Sequence, residues 1–240
     1  MTGMGFTPLG ILAVVFQVLM ILFSLSVHES AHAWTADKLG DHTARMLGRV
    51  TLNPIPHIDP IGTILAPAAM ALLSMGTGHT MIFGWAKPVP VLVRNFSRIR
   101  RDTALVSIAG PLSNLLLSIV CTGILAVLMV LHVHGIAFLE GQLVVPEYSG
   151  PWWVLQLAFL NLVLATFNLI PIPPLDGSGI LSALLPGAVG RFYDQFRRFG
   201  FIILLVFLFT PILSWILAPM VAVSYFIFIY LPLALVAPFS

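Results

Sequence analysis

His28, Glu29 and His32 fall in the run Val27-His28-Glu29-Ser30-Ala31-His32, which fits the pattern H-E-x-x-H. On a helix, residues four apart share one face, so both imidazoles can reach a single metal ion. Glu29 is their sequence neighbour and can approach water at that ion without being a ligand itself. Neutral imidazole suits zinc, and zinc acidifies water enough for a carboxylate to take its proton at about pH 7. The same groups close an apolar stretch, Met1–Val27, that has no Asp, Glu, Lys or Arg. Ionisable groups are costly in such a setting and usually serve a function. The plain alternative is a helix end emerging into water, where they are merely solvated.

Two imidazoles leave a catalytic zinc one protein ligand short. Asp176 is the acidic residue that adjoins another long apolar stretch in a suitable place. It ends the run Asn168-Leu169-Ile170-Pro171-Ile172-Pro173-Pro174-Leu175-Asp176-Gly177. Pro171, Pro173 and Pro174 rule out regular helix there and leave a rigid, extended backbone. Gly177 then permits an abrupt turn. A proline-rich loop ending in an aspartate helix cap is the plain alternative.

Composition sets the elements that must position these groups. Of 240 residues, 59% are hydrophobic and only 8% charged, against roughly 25% charged in a soluble domain. Mean hydropathy is +1.03. Such a chain is a multi-pass membrane protein. Its net charge of +2 contains no basic run, so nucleic acid is not an expected partner. Cys121 has no second cysteine to pair with, so no disulfide framework exists. The N-terminus lacks a positive n-region and a small-residue cleavage site, and reads as a retained span.

The stretches Met1–Val27, Pro60–Ala86, Ala104–Leu131, Tyr148–Leu175 and Phe199–Ser240 carry no charged residue. Each exceeds the roughly 20 residues that a span needs. Pro211 and Pro219 let the last fold back as an apolar hairpin over 199–238. The expectation is an all-α membrane protein, a helical bundle of about five spans, forming one domain over 1–240 with its core at 9–181.

Lys38, Arg45 and Arg49 follow the first stretch, and Lys87, Arg94, Arg98, Arg100 and Arg101 precede the third. Arg191, Arg197 and Arg198 separate the fourth from the fifth, whereas the 132–152 loop has Glu140 and Glu147 but no Lys or Arg. The positive-inside rule puts the basic loops in the cytoplasm, and the N-terminus and the 132–152 loop outside. Residues 60–86 must then leave the cytoplasmic side and return, as a re-entrant segment that their Pro and Gly content suits. This topology also brings Asp176 to the membrane end where His28 lies. A full crossing by 60–86 would leave them on opposite sides.

These residues resemble the site-2 protease family of intramembrane zinc metalloproteases. The resemblance rests on His28-Glu29-Ser30-Ala31-His32, on Leu175-Asp176-Gly177 with its lead-in from Asn168 to Pro171, and on Ala109-Gly110-Pro111-Leu112-Ser113-Asn114. Two further runs, Gly48-Arg49-Val50-Thr51-Leu52-Asn53-Pro54 and Phe83-Gly84-Trp85-Ala86-Lys87-Pro88-Val89-Pro90, are similar to a compact bacterial and archaeal branch without PDZ or CBS domains. The matches run from about residue 28 to 181 in family order; residues 199–240 match only as apolar spans.

The resemblance implies one Zn2+ ion held by His28, His32 and Asp176, with Glu29 as general base and acid. It implies that Asn114 and Asn168 face the cleft and bond substrate backbone or the developing oxyanion. It also implies a strand-like element beside the active site, drawn from residues 45–52 and 80–93, to which an unwound substrate adds. The expected partners are transmembrane protein substrates and the lipid bilayer, and the expected place is the cell membrane with the site toward the cytoplasm. Two rivals make distinct demands. A metal or proton transporter needs further ionisable groups along its spans, which the apolar stretches lack. A catalytically inactive scaffold has no use for Glu29. His42 and His57 are expected to be solvated or structural, and Trp152 and Trp153 to anchor a span at the interface.

Overall fold

A computed structural model of the chain describes residues 8–66, 69–70, 85–131, 136–139, 142–196, 199–208 and 210–239. The chain divides into two compact units, Met1–Asn95 and Phe96–Ser240.

The first unit opens with α1, Pro8–Lys38. Pro8 occupies its first turn and no proline follows, so the helical bonding runs uninterrupted for 31 residues. Ile11, Leu12, Val15, Phe16, Leu19 and Phe23 are 43–54% exposed, while Ser24, Ser26, His28, Ser30, His32 and Asp37 are buried. Apolar side chains outward and polar ones inward is the arrangement that lipid as solvent selects. Gly40, at φ +106°, turns the chain after α1, and α2 (Thr43–Met46) follows.

Residues 45–52 were a candidate strand, and the structure corrects this. The amides of Met46, Leu47, Gly48 and Arg49 donate to the carbonyls of His42, Thr43, Arg45 and Ala44. These donors are committed to local turns and cannot enter a ladder. A π-helical turn, Pro60–Leu65, begins the proposed re-entrant segment, with the Asp59 carboxylate accepting from the amides of Ile61 and Gly62. Most of that segment, 67–68 and 71–84, lies outside the described residues, as do positions 80–84 of the second candidate strand. Residues 85–92 carry no helix and no strand pairing.

The second unit contains α3 (Ile99–Val130) and α4 (Gly150–Asn168), followed by the short helices α5 (Asp176–Leu184), α6 (Gly187–Phe196) and α7 (Gly200–Leu208). It ends with α8 (Pro211–Tyr225), a π-helical turn over Phe226–Tyr230, and α9 (Leu231–Val236). Cys121, Leu125 and Met129 of α3, Ala158 and Leu162 of α4, and Ile229 and Leu233 form one buried apolar cluster. Ser149 caps α4 by accepting from the Trp152 amide. The prolines at 171, 173 and 174 end α4, as their missing amides and fixed φ require. An antiparallel pair, β1 (Ala137–Leu139) and β2 (Gln142–Val144), sets Phe138 opposite Leu143. The described strands therefore lie between α3 and α4.

Among the described residues, four helical segments are long and apolar enough to cross a membrane: Gly10–Lys38, Ile99–Val130, Gly150–Asn168 and Pro211–Val236. The chain is an all-α membrane protein. About five spans were expected, and within 199–240 one described segment, Pro211–Val236, has spanning length. The nine residues of α7 reach only about 13 Å at the helical rise, less than half of a hydrocarbon core of about 30 Å. Pro219 is accommodated inside α8 and does not break it. Among the described residues, 199–240 holds the short helix α7 and one segment of spanning length.

Candidate metal centre

His28 and His32 lie one turn apart on the buried face of α1. Their Nε2 atoms are 3.1 Å apart, with the rings edge-on at 84°. At that 3.1 Å separation one ion could be held by both nitrogens at once. Both nitrogens are the outer ones of their rings. The donor set and its geometry therefore fit a zinc ion.

Glu29 is half-buried, and its Oε2 accepts from the Val89 amide at 2.9 Å. Val89 stands in Lys87-Pro88-Val89-Pro90. Proline has no amide hydrogen, so Val89 supplies the sole backbone donor of 88–90. On the other side of the helix register, the Ser30 hydroxyl donates to the Thr51 carbonyl. That carbonyl also accepts from His57 Nε2 at 3.0 Å, which places the His57 proton on Nε2. His57 is buried and serves the loop, in line with the structural role expected of it.

The segment carrying Val89 is tied down along its length. The Trp85 amide donates to the Gly62 carbonyl at 3.0 Å and the Lys87 amide to the His57 carbonyl at 2.9 Å. The Thr63 hydroxyl donates to the Trp85 carbonyl at 2.8 Å. Buried Arg49 donates to the carbonyls of Pro56 at 2.5 Å, and of Lys87 and Pro88 at 3.3 Å each. Beyond the segment, the buried Asp41 carboxylate accepts from the Thr43 amide and hydroxyl, the Leu92 amide and the Asn95 side chain. Burial pushes the Asp41 carboxyl up, but these hydrogen bonds outweigh it and hold the pKa below the ordinary value. Asp37, at the end of α1, pairs with His42 at 2.8 Å and Arg45 at 2.5 Å.

In the second unit, Asp176 is half-buried and opens α5, preceded by Leu175 in extended conformation. A Cβ on Gly177 would run into the backbone of Leu169 and Ile170. Close approach of α5 to the end of α4, and not a left-handed turn, is why glycine follows the aspartate. Asn114 is fully buried on α3, three residues after Pro111. Asn168 is half-buried and its Nδ2 donates to the Leu164 carbonyl at 3.0 Å. The first unit thus assembles His28, Glu29 and His32, and the second carries Asp176, Asn114 and Asn168.

Val89 and Arg49 were not singled out as individual site residues from sequence. Their runs were visible as motifs, but Arg49 reads as a cytoplasmic charge and Val89 as a strand residue. The usable signal was a single amide hydrogen flanked by two prolines.

The profile of Peptidase family M50 matches residues 16–211. YwhC of Bacillus subtilis, named as a candidate zinc metalloprotease, is 42% identical over 205 residues, covering 85% of each chain. Rip2 of Mycolicibacterium smegmatis, also named as a candidate zinc metalloprotease, is 32% identical over 194 residues, 80% of this chain and 66% of that one. Rip2 of Mycobacterium tuberculosis, with the same naming, is 31% identical over 195 residues with the same coverage. No solved structure matches.

Proposed function

The chain belongs to Peptidase family M50 and is an intramembrane zinc metalloprotease; we propose that His28, His32 and Asp176 hold its one Zn2+ ion and that Glu29 is the general base. The observation that carries this reading is the pair of Nε2 atoms 3.1 Å apart on a buried helix face, with Glu29 beside them. The case for Asp176 is chemical. Two imidazoles need a third protein donor, and Asp176 is a carboxylate opening α5 just beyond the end of span α4. The proposal requires both units to work as one membrane domain over 1–240.

Bound zinc supplies a Lewis acid that polarises the scissile carbonyl and acidifies water. Glu29 takes the proton of the attacking water and delivers it to the departing amine. His28 and His32 bind as neutral imidazoles, each through Nε2. Asn114 and Asn168 offer carboxamide donors to substrate backbone or to the charge developing on the carbonyl oxygen. The substrates are transmembrane or membrane-proximal protein segments. A helical substrate keeps its carbonyls in i to i−4 bonds and must unwind locally before any of these groups can reach it.

The orientation follows from charge. Basic residues flank the C-terminal end of α1, the N-terminal end of α3 and the chain after α4, so these ends face the cytoplasm. The N-terminus then lies outside and the site opens toward the cytoplasm.

The test is Glu29→Gln in proteoliposomes with a single-span reporter, with zinc measured by elemental analysis. Zinc content stays at the wild-type level and cleavage falls by about 100-fold or more. Full cleavage by this variant rejects Glu29 as the base.

A further inference from the structure

We propose that Arg49 is a positioning residue for the general base, acting through the Val89 amide; this rests on the reading of Glu29 given above. Beyond Lys87, whose own amide donates to the His57 carbonyl, the segment to Pro90 cannot be held by ordinary backbone pairing. Pro88 and Pro90 have no amide hydrogen, and that of Val89 goes to Glu29. What remains to fix the segment is its carbonyls, and Arg49 takes two of them, Lys87 and Pro88. The third Arg49 contact, to Pro56, ties the same guanidinium to the 54–57 turn. That turn holds Lys87 again through the His57 carbonyl.

A buried guanidinium bonded to carbonyls is an expensive device for closing a loop. Its particular merit is a planar fork of donors that reaches two chain segments in one fixed geometry. That geometry sets where the Val89 amide sits, and the amide sets where Glu29 Oε2 points. Without Arg49, the proline-flanked segment keeps its local conformation but loses its lateral anchor. Glu29 then keeps its identity and its distance along the helix while losing its aim.

The experiment is a double-mutant cycle in proteoliposomes, using Arg49→Met, Val89→Pro and the pair together, with kcat, KM and zinc content measured for each. Val89→Pro removes the amide hydrogen in a stretch that already favours proline geometry. Each single variant lowers kcat on the order of 10- to 100-fold, as expected for a misaimed catalytic group, with KM and zinc unchanged. The pair is no slower than the slower single variant, because both remove the same link. Arg49→Lys recovers part of the loss. Hydrogen exchange at the Val89 amide accelerates in Arg49→Met while zinc is retained. Multiplying losses in the pair, or a rise in KM alone, overturn the proposal. Should Arg49→Met fail to fold, the same cycle run with Arg49→Lys decides it. Glu29→Gln, run alongside, separates the two failures. An inactive Glu29→Gln with a fully active Arg49→Met rejects positioning alone, and an active Glu29→Gln rejects the base.

Discussion

Asp41→Asn perturbs the anchor at the far end of the segment that carries Val89. Asp41 Oδ1 accepts from the Thr43 amide at 3.2 Å, the Thr43 hydroxyl at 2.6 Å and the Asn95 side chain at 2.8 Å, while Oδ2 accepts from the Leu92 amide at 2.7 Å. Asparagine can match only one of these two oxygens. With its oxygen in the Oδ1 position, its amide group faces the Leu92 amide, donor against donor. A buried donor left without an acceptor costs about 1–3 kcal/mol. The Asp41 pKa is lowered in the folded protein, its hydrogen bonds outweighing burial. A depressed carboxylate contributes stability above its unfolded pKa and loses it as pH falls through the folded value. The wild-type advantage over Asp41→Asn is therefore constant from neutrality down to about pH 4 and fades only below it. Thermal unfolding of both proteins in the same detergent, from pH 7 to about pH 3, measures the difference; other carboxylates titrate alike in both and cancel. No difference at pH 7, or a difference that fades above about pH 5, refutes the account.

Three further outcomes follow from the geometry. Asp176→Asn keeps the size of the side chain but weakens the donor, so zinc retention after dialysis against a chelator falls by roughly 10- to 100-fold in affinity; an unchanged zinc stoichiometry removes Asp176 from the ligand set. Gly177→Ala forces a methyl group into the Leu169 and Ile170 backbone and costs roughly 1–3 kcal/mol of stability, with zinc loss accompanying it if the start of α5 shifts; a melting temperature equal to wild type contradicts the close approach. Leu125→Ala opens the cluster of Met129, Leu162 and Ile229, but lipid is as apolar as the core, so only the packing part of the usual penalty applies, roughly 1–3 kcal/mol; a loss on the soluble-protein scale of about 5 kcal/mol is inconsistent with lipid as the unfolded reference.

What the sequence revealed, and what it hid, divides along the range of the interactions involved. The i, i+4 pairing of His28 and His32 is local, fixed by helix geometry, and the structure places their Nε2 atoms together. The end of α4 before Pro171 is equally local. The partner of Glu29 is 60 residues away in Val89, and no periodicity records a contact of that span. Residues 45–52 misled for a related reason. Their composition suits a strand, but the amides of Met46 to Arg49 find nearer acceptors in a tight turn. The C-terminal region shows a third limit. Pro211 and Pro219 both mark possible breaks, yet Pro219 sits inside α8 while the break falls before Pro211. Proline position alone does not say which of two is absorbed.

The expectation that 80–93 offers an edge to an unwound substrate meets a specific obstacle at 87–90. A substrate strand pairs with an edge by accepting its free amides and donating to its free carbonyls. Here the Lys87 amide is committed to His57 and the Val89 amide to Glu29, and Pro88 and Pro90 have none. The Lys87 and Pro88 carbonyls are committed to Arg49. No amide in this piece can donate to a strand without first releasing the His57 carbonyl or Glu29. On the proposal made above, residues 87–90 brace Glu29, and amide donation to a substrate strand in this region falls to backbone on either side of them. A brace of this kind also explains the alternation of proline with a single valine. It excludes every competing donor from the stretch, so the one amide that remains has a defined acceptor and the carboxylate a defined direction.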